Sequence, residues 1–262
     1  MNALASYAAD RPSEAAVNGY ARRTLQPFFD RAGWDARPGE TSNQMLMRAS
    51  LIDALGTLGE PAVIEEARRR VRAAQTDPSV LPGPIRTATR SVYAYNATEA
   101  DYADLVAQAR AATDFVEQRR LWLLVASAKD PALAQRTLAM TLSDDVPRQI
   151  RVGVLSAVAG KHARLGWDFL VANRAAVETL LDPLTRLEFP SHIAAISSDP
   201  AMVEELERYA ADFPEGARES VVAAQAQIRL RAQTISERMP AVEAWIAQHS
   251  NRRGAGGGPA RR

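Results

Sequence analysis

Apolar residues recur at intervals of three and four along nearly the whole chain, the spacing that places side chains on one face of an α-helix. One such face is formed by Leu121, Leu124, Val125 and Ala128. Alternation of apolar and polar residues with a period of two, bounded by turn residues, is not found. The pattern therefore predicts an all-α fold.

Proline marks many of the predicted helix starts. An aspartate that can accept hydrogen bonds from the first helical amides precedes a proline at Asp77-Pro78, Asp130-Pro131, Asp182-Pro183 and Asp199-Pro200. The arrangement is weaker at Glu60-Pro61 and Met239-Pro240. These signals and the apolar spacing predict helices over 13–31, 41–57, 60–75, 82–96, 99–111, 114–128, 131–142, 145–160, 162–173, 174–181, 183–196, 200–211, 214–237 and 240–249.

Successive helices joined by short turns favour antiparallel hairpins, and stacked hairpins bury a continuous core between neighbours. We therefore expect an irregular, curved α-solenoid of HEAT- or armadillo-like repeats over residues 1–250. The glycine- and arginine-rich segment 251–262 has little to bury and is predicted to be disordered. Contact with nucleic acid and simple solvation are both conceivable roles for this tail, and its composition favours solvation.

Charge narrows the classes of partner. The 32 Lys and Arg nearly cancel the 31 Asp and Glu, for a formal charge of +1 over 262 residues. Four arginines lie in the tail, at Arg252, Arg253, Arg261 and Arg262, so the remaining body is mildly acidic. This balance argues against a protein built to hold nucleic acid. We expect no membrane partner either, since no apolar run approaches the length of a membrane span.

The motifs of several enzyme classes are missing. The chain has no Cys, and its three histidines, His162, His192 and His249, stand far apart without the His-Glu-x-x-His spacing of a zinc site. We expect them to be surface or capping residues, and we expect no metal or cofactor in this chain. The N-terminus has no basic leader and no apolar segment typical of a secretory signal, so the default expectation is a cytoplasmic location.

Large aromatic residues and paired acids have simple structural interpretations. Trp34, Trp122, Trp167 and Trp245 lie among apolar helical neighbours, which predicts that they anchor the core. Neighbouring acids occur at Glu65-Glu66, Asp144-Asp145 and Glu204-Glu205. Adjacent residues on a helix point about 100° apart, so these pairs do not converge on one substrate.

Six segments, taken in order, resemble one known domain. They are Gly33-Trp34 with Glu40 and Leu46-Met47-Arg48-Ala49, then Leu51–Gly59, Leu123–Leu133, Gly166-Trp167-Asp168-Phe169-Leu170 with Asn173, Phe213-Pro214 with Gly216, and Val242–Ile246. Their order resembles the C-terminal helical domain, the endoplasmic-reticulum-aminopeptidase-like domain, of aminopeptidase-N-type zinc metallopeptidases. The resemblance runs from about residue 13 to 247.

The resemblance implies what this chain lacks. In the family, the catalytic half carries His-Glu-x-x-His, a further glutamate ligand and a Gly-x-Met-Glu-Asn strand, and none of these occurs here. We therefore expect no catalytic and no metal residue in this chain, no enzymatic activity of the chain alone, and zinc only in the separate catalytic half. The resemblance also implies that the chain begins after the start of the family's domain, as a truncated frame, an engineered fragment or half of a split enzyme would.

In the family, this domain is a bowl of helices that covers the active site and helps bind the distal part of peptides. The resemblance thus implies a non-catalytic lid and peptide-binding domain, with peptides and a catalytic half as partners. Arginines suit a peptide carboxylate, and the candidates are Arg86, Arg90, Arg119, Arg148 and Arg151. A stand-alone helical scaffold that binds protein is the alternative. A helical-repeat DNA glycosylase is a third interpretation, which the acidic body disfavours.

Overall fold

The computed structural model describes residues 2–9 and 11–254, and within these ranges all regular structure is helical, which confirms the all-α prediction. The α-helices are α1 (Asn2–Ala8), α2 (Glu14–Ala32), α3 (Ser42–Thr57), α4 (Pro61–Ala73), α5 (Gly83–Tyr95), α6 (Glu99–Ala111), α7 (Phe115–Val125), α8 (Pro131–Met140), α9 (Arg151–Ala159), α10 (Ala163–Ala172), α11 (Arg174–Glu178), α12 (Pro183–Ala194), α13 (Met202–Tyr209) and α14 (Arg218–Gly254). Short 3-10 turns lie at Pro78–Val80, Arg148–Ile150 and Glu215–Ala217. The stacking of these helices as a solenoid stays a prediction.

The helices form two compact units. Unit 1 comprises residues 1–93 and 234–262, and unit 2 comprises residues 94–233. In unit 1, one apolar cluster brings together α2 to α5, with Ile52, Leu55 and Val92 fully buried. A second cluster packs the N-terminal helices against the end of α14 through contacts of Ala8 and Val17 with the C-terminal part of that helix.

Local signals place several helix starts correctly. The carboxylate of Asp130 accepts a 2.8 Å hydrogen bond from the amide of Ala132 at the start of α8. Asp182 accepts from the amides of Leu184 and Thr185 at the start of α12. These contacts confirm the predicted capping role, because the side-chain oxygen replaces the acceptor that the first helical amides lack.

The predicted break at Pro240 is wrong. Helix α14 runs unbroken from Arg218 to Gly254, although a proline inside a helix removes one hydrogen bond and costs about 3 kcal/mol. Met239 and Ile246 lie on either side of Pro240 and are both buried in the second cluster of unit 1. We attribute the continuity to this packing, which offsets the cost of the proline.

Other boundaries differ near prolines and at the termini. The predicted helix 145–160 begins only with the 3-10 turn at residue 148, because Pro147 disfavours helical geometry at the residue before it. Helix α1 lies before residue 13, where the predicted helices begin, although the sequence of residues 1–10 is typical of the middle of a helix. The predicted tail begins at residue 251, helix α14 includes residues 251–254, and residues 255–262 lie outside the described residues.

The four tryptophans differ in burial. Trp122 and Trp167 are fully buried in unit 2, as predicted for core anchors. Trp34 is partly buried and packs edge-on against Phe29 in the first cluster of unit 1. Trp245 is 45% exposed, so the prediction of a core position is wrong for it. Its position on the last turns of α14 leaves one ring face available to His249, which stacks on it at 3.9 Å.

We expect two helical glycines to respond oppositely to alanine. A Cβ at Gly166 in α10 would lie 2.8 Å from the Cα of Ala159 in α9, whereas a Cβ at Gly153 in α9 meets nothing within 4 Å. Gly166→Ala should therefore lower the free energy of unfolding by about 1–3 kcal/mol. Gly153→Ala should raise it by up to about 1 kcal/mol, because alanine is the better helix former. Urea unfolding of both variants measures this, and equal stability of the two would contradict it.

Candidate functional site

The candidate arginines are divided between the two compact units. Arg86 and Arg90 lie on α5 in unit 1, whereas Arg119, Arg148 and Arg151 belong to unit 2. Arg86, Arg119 and Arg148 are exposed, and Arg90 and Arg151 are half-buried. Their role in peptide binding therefore stays a prediction.

Several of these arginines contact backbone carbonyls. At the start of α5, the Nε of Arg86 donates to the carbonyl of Leu81 at 3.0 Å. The Nε of Arg151 at the start of α9 donates to the carbonyl of Val146 at 2.7 Å, again five residues earlier. Arg186, which was not one of the candidates, makes the same type of contact to Leu181. The repeated spacing of five residues gives these arginines a structural role, that of fixing the segment just before each helix.

Arg148 and Arg119 differ from this pair. The guanidinium of Arg148 donates to the carbonyl of Thr179, which follows α11. Arg119 on α7 has no ion pair or hydrogen-bond acceptor among residues 2–9 and 11–254, and it is exposed. Of the candidates in unit 2, Arg119 is thus the one whose guanidinium faces solvent without a partner in the described part of the chain.

The histidines have local structural contacts. His162 precedes α10, and its Nε2 lies 2.8 Å from the carbonyl oxygen of Ala128. The Nδ1 of His249 lies 2.8 Å from the carbonyl oxygen of Trp245, one turn earlier in α14. His192 stacks against Phe189. Over the described residues, no group of three or more His, Cys, Asp or Glu side chains is arranged to hold a metal ion, and no helix is long and apolar enough to cross a bilayer.

The segment Gly33–Arg48, the first part of the family resemblance, is organised around a buried ion pair. The guanidinium of Arg48 is 1% exposed and contacts the carboxylate of Glu40 through both terminal nitrogens. Its Nε also donates to the carbonyl of Gly33 at 3.1 Å, and its Nη2 donates to that of Ala32 at 3.1 Å. One side chain of α3 therefore ties together the last carbonyls of α2 and the loop that joins the two helices.

The electrostatics of Glu40 follow from this contact. The hydrogen bond from Arg48 lowers the pKa of Glu40 below its ordinary value, and the amide and the charge of Arg37 act in the same direction. Partial desolvation opposes them. Glu40 is therefore held as a carboxylate, and its charge is neutralised by Arg48 rather than offered to a ligand.

A second ionic group contacts the beginning of this loop, at Trp34 and Asp35. Arg70 on α4 donates to Asp35 at 2.8 Å and to Glu66 at 2.7 Å, and its guanidinium lies 5.1 Å from the ring centroid of Trp34. Hydrogen bonds from Arg69 and then Arg70 lower the pKa of Glu66 from 4.5 to about 2, against a contribution from burial that raises it.

This shift predicts a pH dependence of stability. Because the pKa of Glu66 is lower in the folded state, its contribution is complete above pH 4.5 and is lost as the pH falls toward about 2. Glu66→Gln should lower the free energy of unfolding at pH 7 by about 1 kcal/mol and flatten its decline in that acid range. Urea titrations at several pH values measure both. The control Glu65→Gln removes an exposed ion pair and should change the free energy of unfolding little at pH 7. The prediction is contradicted if the free energy of unfolding of the Glu66 variant falls with pH as steeply as that of the wild type.

A cleft of about 390 Å³ lies beside the loop that Arg48 holds. Its volume is within the range of small-ligand sites. The cleft combines large apolar side chains with basic ones, and its walls are formed by Phe28, Arg31, Ala32, Arg37, Pro38, Gly39, Glu40, Gln44 and Met47. Phe28 and Met47 are each 47% exposed, and the guanidinium carbon of Arg31 lies 5.0 Å from the centroid of the Phe28 ring.

Sequence reasoning missed this cleft, although part of it carries the family resemblance. Gly33 and Gly39 have φ angles of 64° and 81°, a conformation that glycine adopts most readily. Two glycines with Pro38 between them in Gly33–Arg48 indicate a loop of fixed shape, and that signal was available in the sequence. The proximity of Phe28 to Met47 was not, since it depends on how α2 and α3 pack.

The segment Gly166–Asn173 is also structural. The Nε1 of Trp167 donates to Glu205 at 2.8 Å, and Arg164 donates to the other carboxylate oxygen of Glu205 at 2.7 Å. The hydrogen bond from Arg164, followed by that from Trp167, lowers the pKa of Glu205 despite burial. The Nδ2 of Asn173 donates to the carbonyl of Phe169. Glu205 therefore links two helices and is not paired with Glu204 as an acid–base couple.

Comparison with known proteins assigns a family to this arrangement. Residues 1–230 match the family model described as ERAP1-like C-terminal domain. Aminopeptidase M1-A of Oryza sativa subsp. japonica is 30% identical over 151 residues, which is 56% of this chain and 17% of the rice protein. Aminopeptidase M1 of Arabidopsis thaliana is 30% identical over 143 residues, 53% of this chain and 16% of that protein. The match to these relatives thus covers about half of the chain and less than a fifth of their own length. Since the family model spans most of the 262 residues, the chain belongs to the ERAP1-like C-terminal domain family.

Proposed function

We propose that this chain is the non-catalytic lid and peptide-binding domain of a zinc aminopeptidase, and that it encloses the active-site cavity of a catalytic half whose residues are not in this chain. The family match across residues 1–230 carries the proposal. The relatives from rice and Arabidopsis, which are named aminopeptidases, support it. In this proposal the zinc and the catalytic groups belong to the catalytic half, and this chain contributes shape and remote binding.

Remote binding can raise turnover without any catalytic group. Contacts to the distal part of a peptide hold its reacting end in register, and that binding energy lowers the barrier at a site some distance away. An arginine suits such a contact because its planar guanidinium binds a carboxylate through two hydrogen bonds. Among the candidate arginines, Arg119 is exposed and has no acceptor among the described residues, so it is our first choice for this role.

The test compares a long peptide with a single-residue amide. A catalytic fragment of an M1-type aminopeptidase that lacks its C-terminal domain is assayed alone and after addition of the 262-residue chain. We expect the chain to change the kcat/KM for the longer peptide more than that for the aminoacyl amide, because the small amide does not extend beyond the metal site. The chain alone should hydrolyse neither substrate.

Two results would contradict the proposal. Equal effects on both substrates would indicate simple stabilisation of the catalytic fragment. Hydrolysis by the chain alone that survives repurification and a chelator would make it an enzyme in its own right.

Arg119→Gln should reduce the effect of the chain on the kcat/KM for the peptide and leave its effect on the amide unchanged. The matched control Arg229→Gln alters another exposed arginine of unit 2, on α14, and should behave as the wild type.

A further inference from the structure

We infer that the cleft beside the loop between α2 and α3 (residues 33–41) binds an acidic peptide segment that carries a large apolar side chain. This site lies within unit 1 and uses none of the five arginines predicted from the sequence, so the inference goes beyond the lid function. The ligand is an internal segment recognised through aspartate or glutamate side chains, rather than a chain terminus.

The charge of the cleft favours an acidic ligand. Glu40 is the acidic residue of its lining, and the buried guanidinium of Arg48 neutralises it. Arg31 and Arg37 also line the cleft, and both are exposed. Neither forms an ion pair within residues 2–9 and 11–254, although the charge of Arg37 acts on Glu40. The cleft therefore has two guanidinium groups that form no ion pair with a carboxylate among the described residues.

The apolar part of the cleft favours a ligand with a hydrophobic side chain. Phe28 and Met47 line it and are each 47% exposed, and the neighbouring Leu46 is 65% exposed. Large apolar side chains exposed together are a mark of interaction sites, and methionine adapts to varied partners. A single leucine or phenylalanine side chain fits a cleft of about 390 Å³, with room for the flanking backbone.

The walls of the cleft are fixed before any ligand arrives. Arg48 binds Glu40 and the carbonyls of Ala32 and Gly33, at the two ends of the loop. At the end of the loop, Thr41 and Gln44 form a capping box, in which the side chain of each accepts a hydrogen bond from the backbone amide of the other, and this fixes the start of α3. A preformed site loses less conformational entropy on binding, so even a short segment can bind measurably. Arg48 is thus a positioning residue, whereas Arg31, Arg37, Phe28 and Met47 are the proposed contact residues.

The experiment measures binding of a fluorescein-labelled peptide with the central sequence Asp-Glu-Leu-Asp-Glu, acetylated and amidated so that its termini are uncharged. Fluorescence anisotropy with the 262-residue chain gives the Kd. We expect Arg31→Gln/Arg37→Gln to raise the Kd by about fivefold or more, and Phe28→Ser/Met47→Ser to do the same. The affinity for the wild type should fall with salt, since exposed charges are screened.

Peptide and protein controls test whether the peptide binds in this cleft through both its charge and its apolar side chain. A peptide with Asn and Gln in place of the acids, and one with Ala in place of Leu, should each bind more weakly. Arg229→Gln removes an exposed arginine of unit 2, on α14, and should leave the Kd unchanged. All these substitutions are at exposed positions, and circular dichroism verifies that the variants stay folded.

Absence of binding, or a Kd that the cleft variants do not change, would overturn the inference. The assay contains no catalytic half, so its failure leaves the lid proposal standing.

Discussion

Arg48→Ala is expected to lower the free energy of unfolding of unit 1 by about 3–5 kcal/mol, the range for removing one partner of a buried ion pair. The guanidinium is 1% exposed, and the carboxylate of Glu40 is 12% exposed. Its loss leaves that carboxylate without its cation and leaves the carbonyls of Ala32 and Gly33 without their donor. Urea unfolding followed by circular dichroism measures the change.

Two variants separate burial from charge in this prediction. Arg69→Ala breaks an ion pair with Glu66 in which the arginine is 63% exposed, and it should cost about 1 kcal/mol or less. Arg48→Met combined with Glu40→Gln removes both charges and should be less destabilising than Arg48→Ala alone, because no unpaired charge stays behind. If Arg48→Ala costs no more than Arg69→Ala, the ion pair does not hold the loop.

Trp122→Ala and Trp167→Ala are each expected to lower the free energy of unfolding of unit 2 by about 3–5 kcal/mol, the usual cost of truncating a core aromatic. Both side chains are fully buried, so truncation removes apolar contacts and leaves a cavity. The midpoint of urea unfolding and its slope provide the measurement.

Phenylalanine at the same two positions should separate packing from hydrogen bonding. The Nε1 of Trp167 donates to Glu205, whereas that of Trp122 is buried and has no hydrogen-bond partner among the described residues. Trp167→Phe should therefore lower the free energy of unfolding by about 1–2 kcal/mol more than Trp122→Phe does, because only Trp167→Phe removes a hydrogen bond, the one to Glu205. Equal costs, or a larger cost at Trp122, would show that ring size alone decides the stability at both sites.

Helix content was predictable because its signals are local. Asp130 and Asp182 accept hydrogen bonds from amides two residues later, so the sequence around them is enough to place the starts of α8 and α12. The capping box of Thr98 and Asp101 at the start of α6 is equally local. The predicted break at Pro240 is wrong for the opposite reason, since the burial of Met239 depends on residues more than two hundred positions away.

The candidate site could be predicted only in part. The segment Gly33–Arg48 carries part of the family resemblance, which marks it as important. Its ion pair is a property of the tertiary structure, in which Arg48 contacts Glu40 and the end of α2. A guanidinium suits a carboxylate, which makes Arg86 and Arg151 candidates, but in the structure each donates to a carbonyl five residues earlier, before its own helix begins. A residue type indicates which contacts a side chain can make, but not which one it makes.

The sequence by itself thus determined the all-α class, most helix starts and the family, because periodicity, capping and the order of anchor segments are properties of neighbouring residues. Only the tertiary structure decided that α14 continues through Pro240, that Arg48 is buried, and that Phe28, Arg31, Arg37 and Met47 line one cleft. The physical reason is that burial and ion pairing act between residues brought together by packing, and helical periodicity specifies which face is buried without specifying what it is buried against.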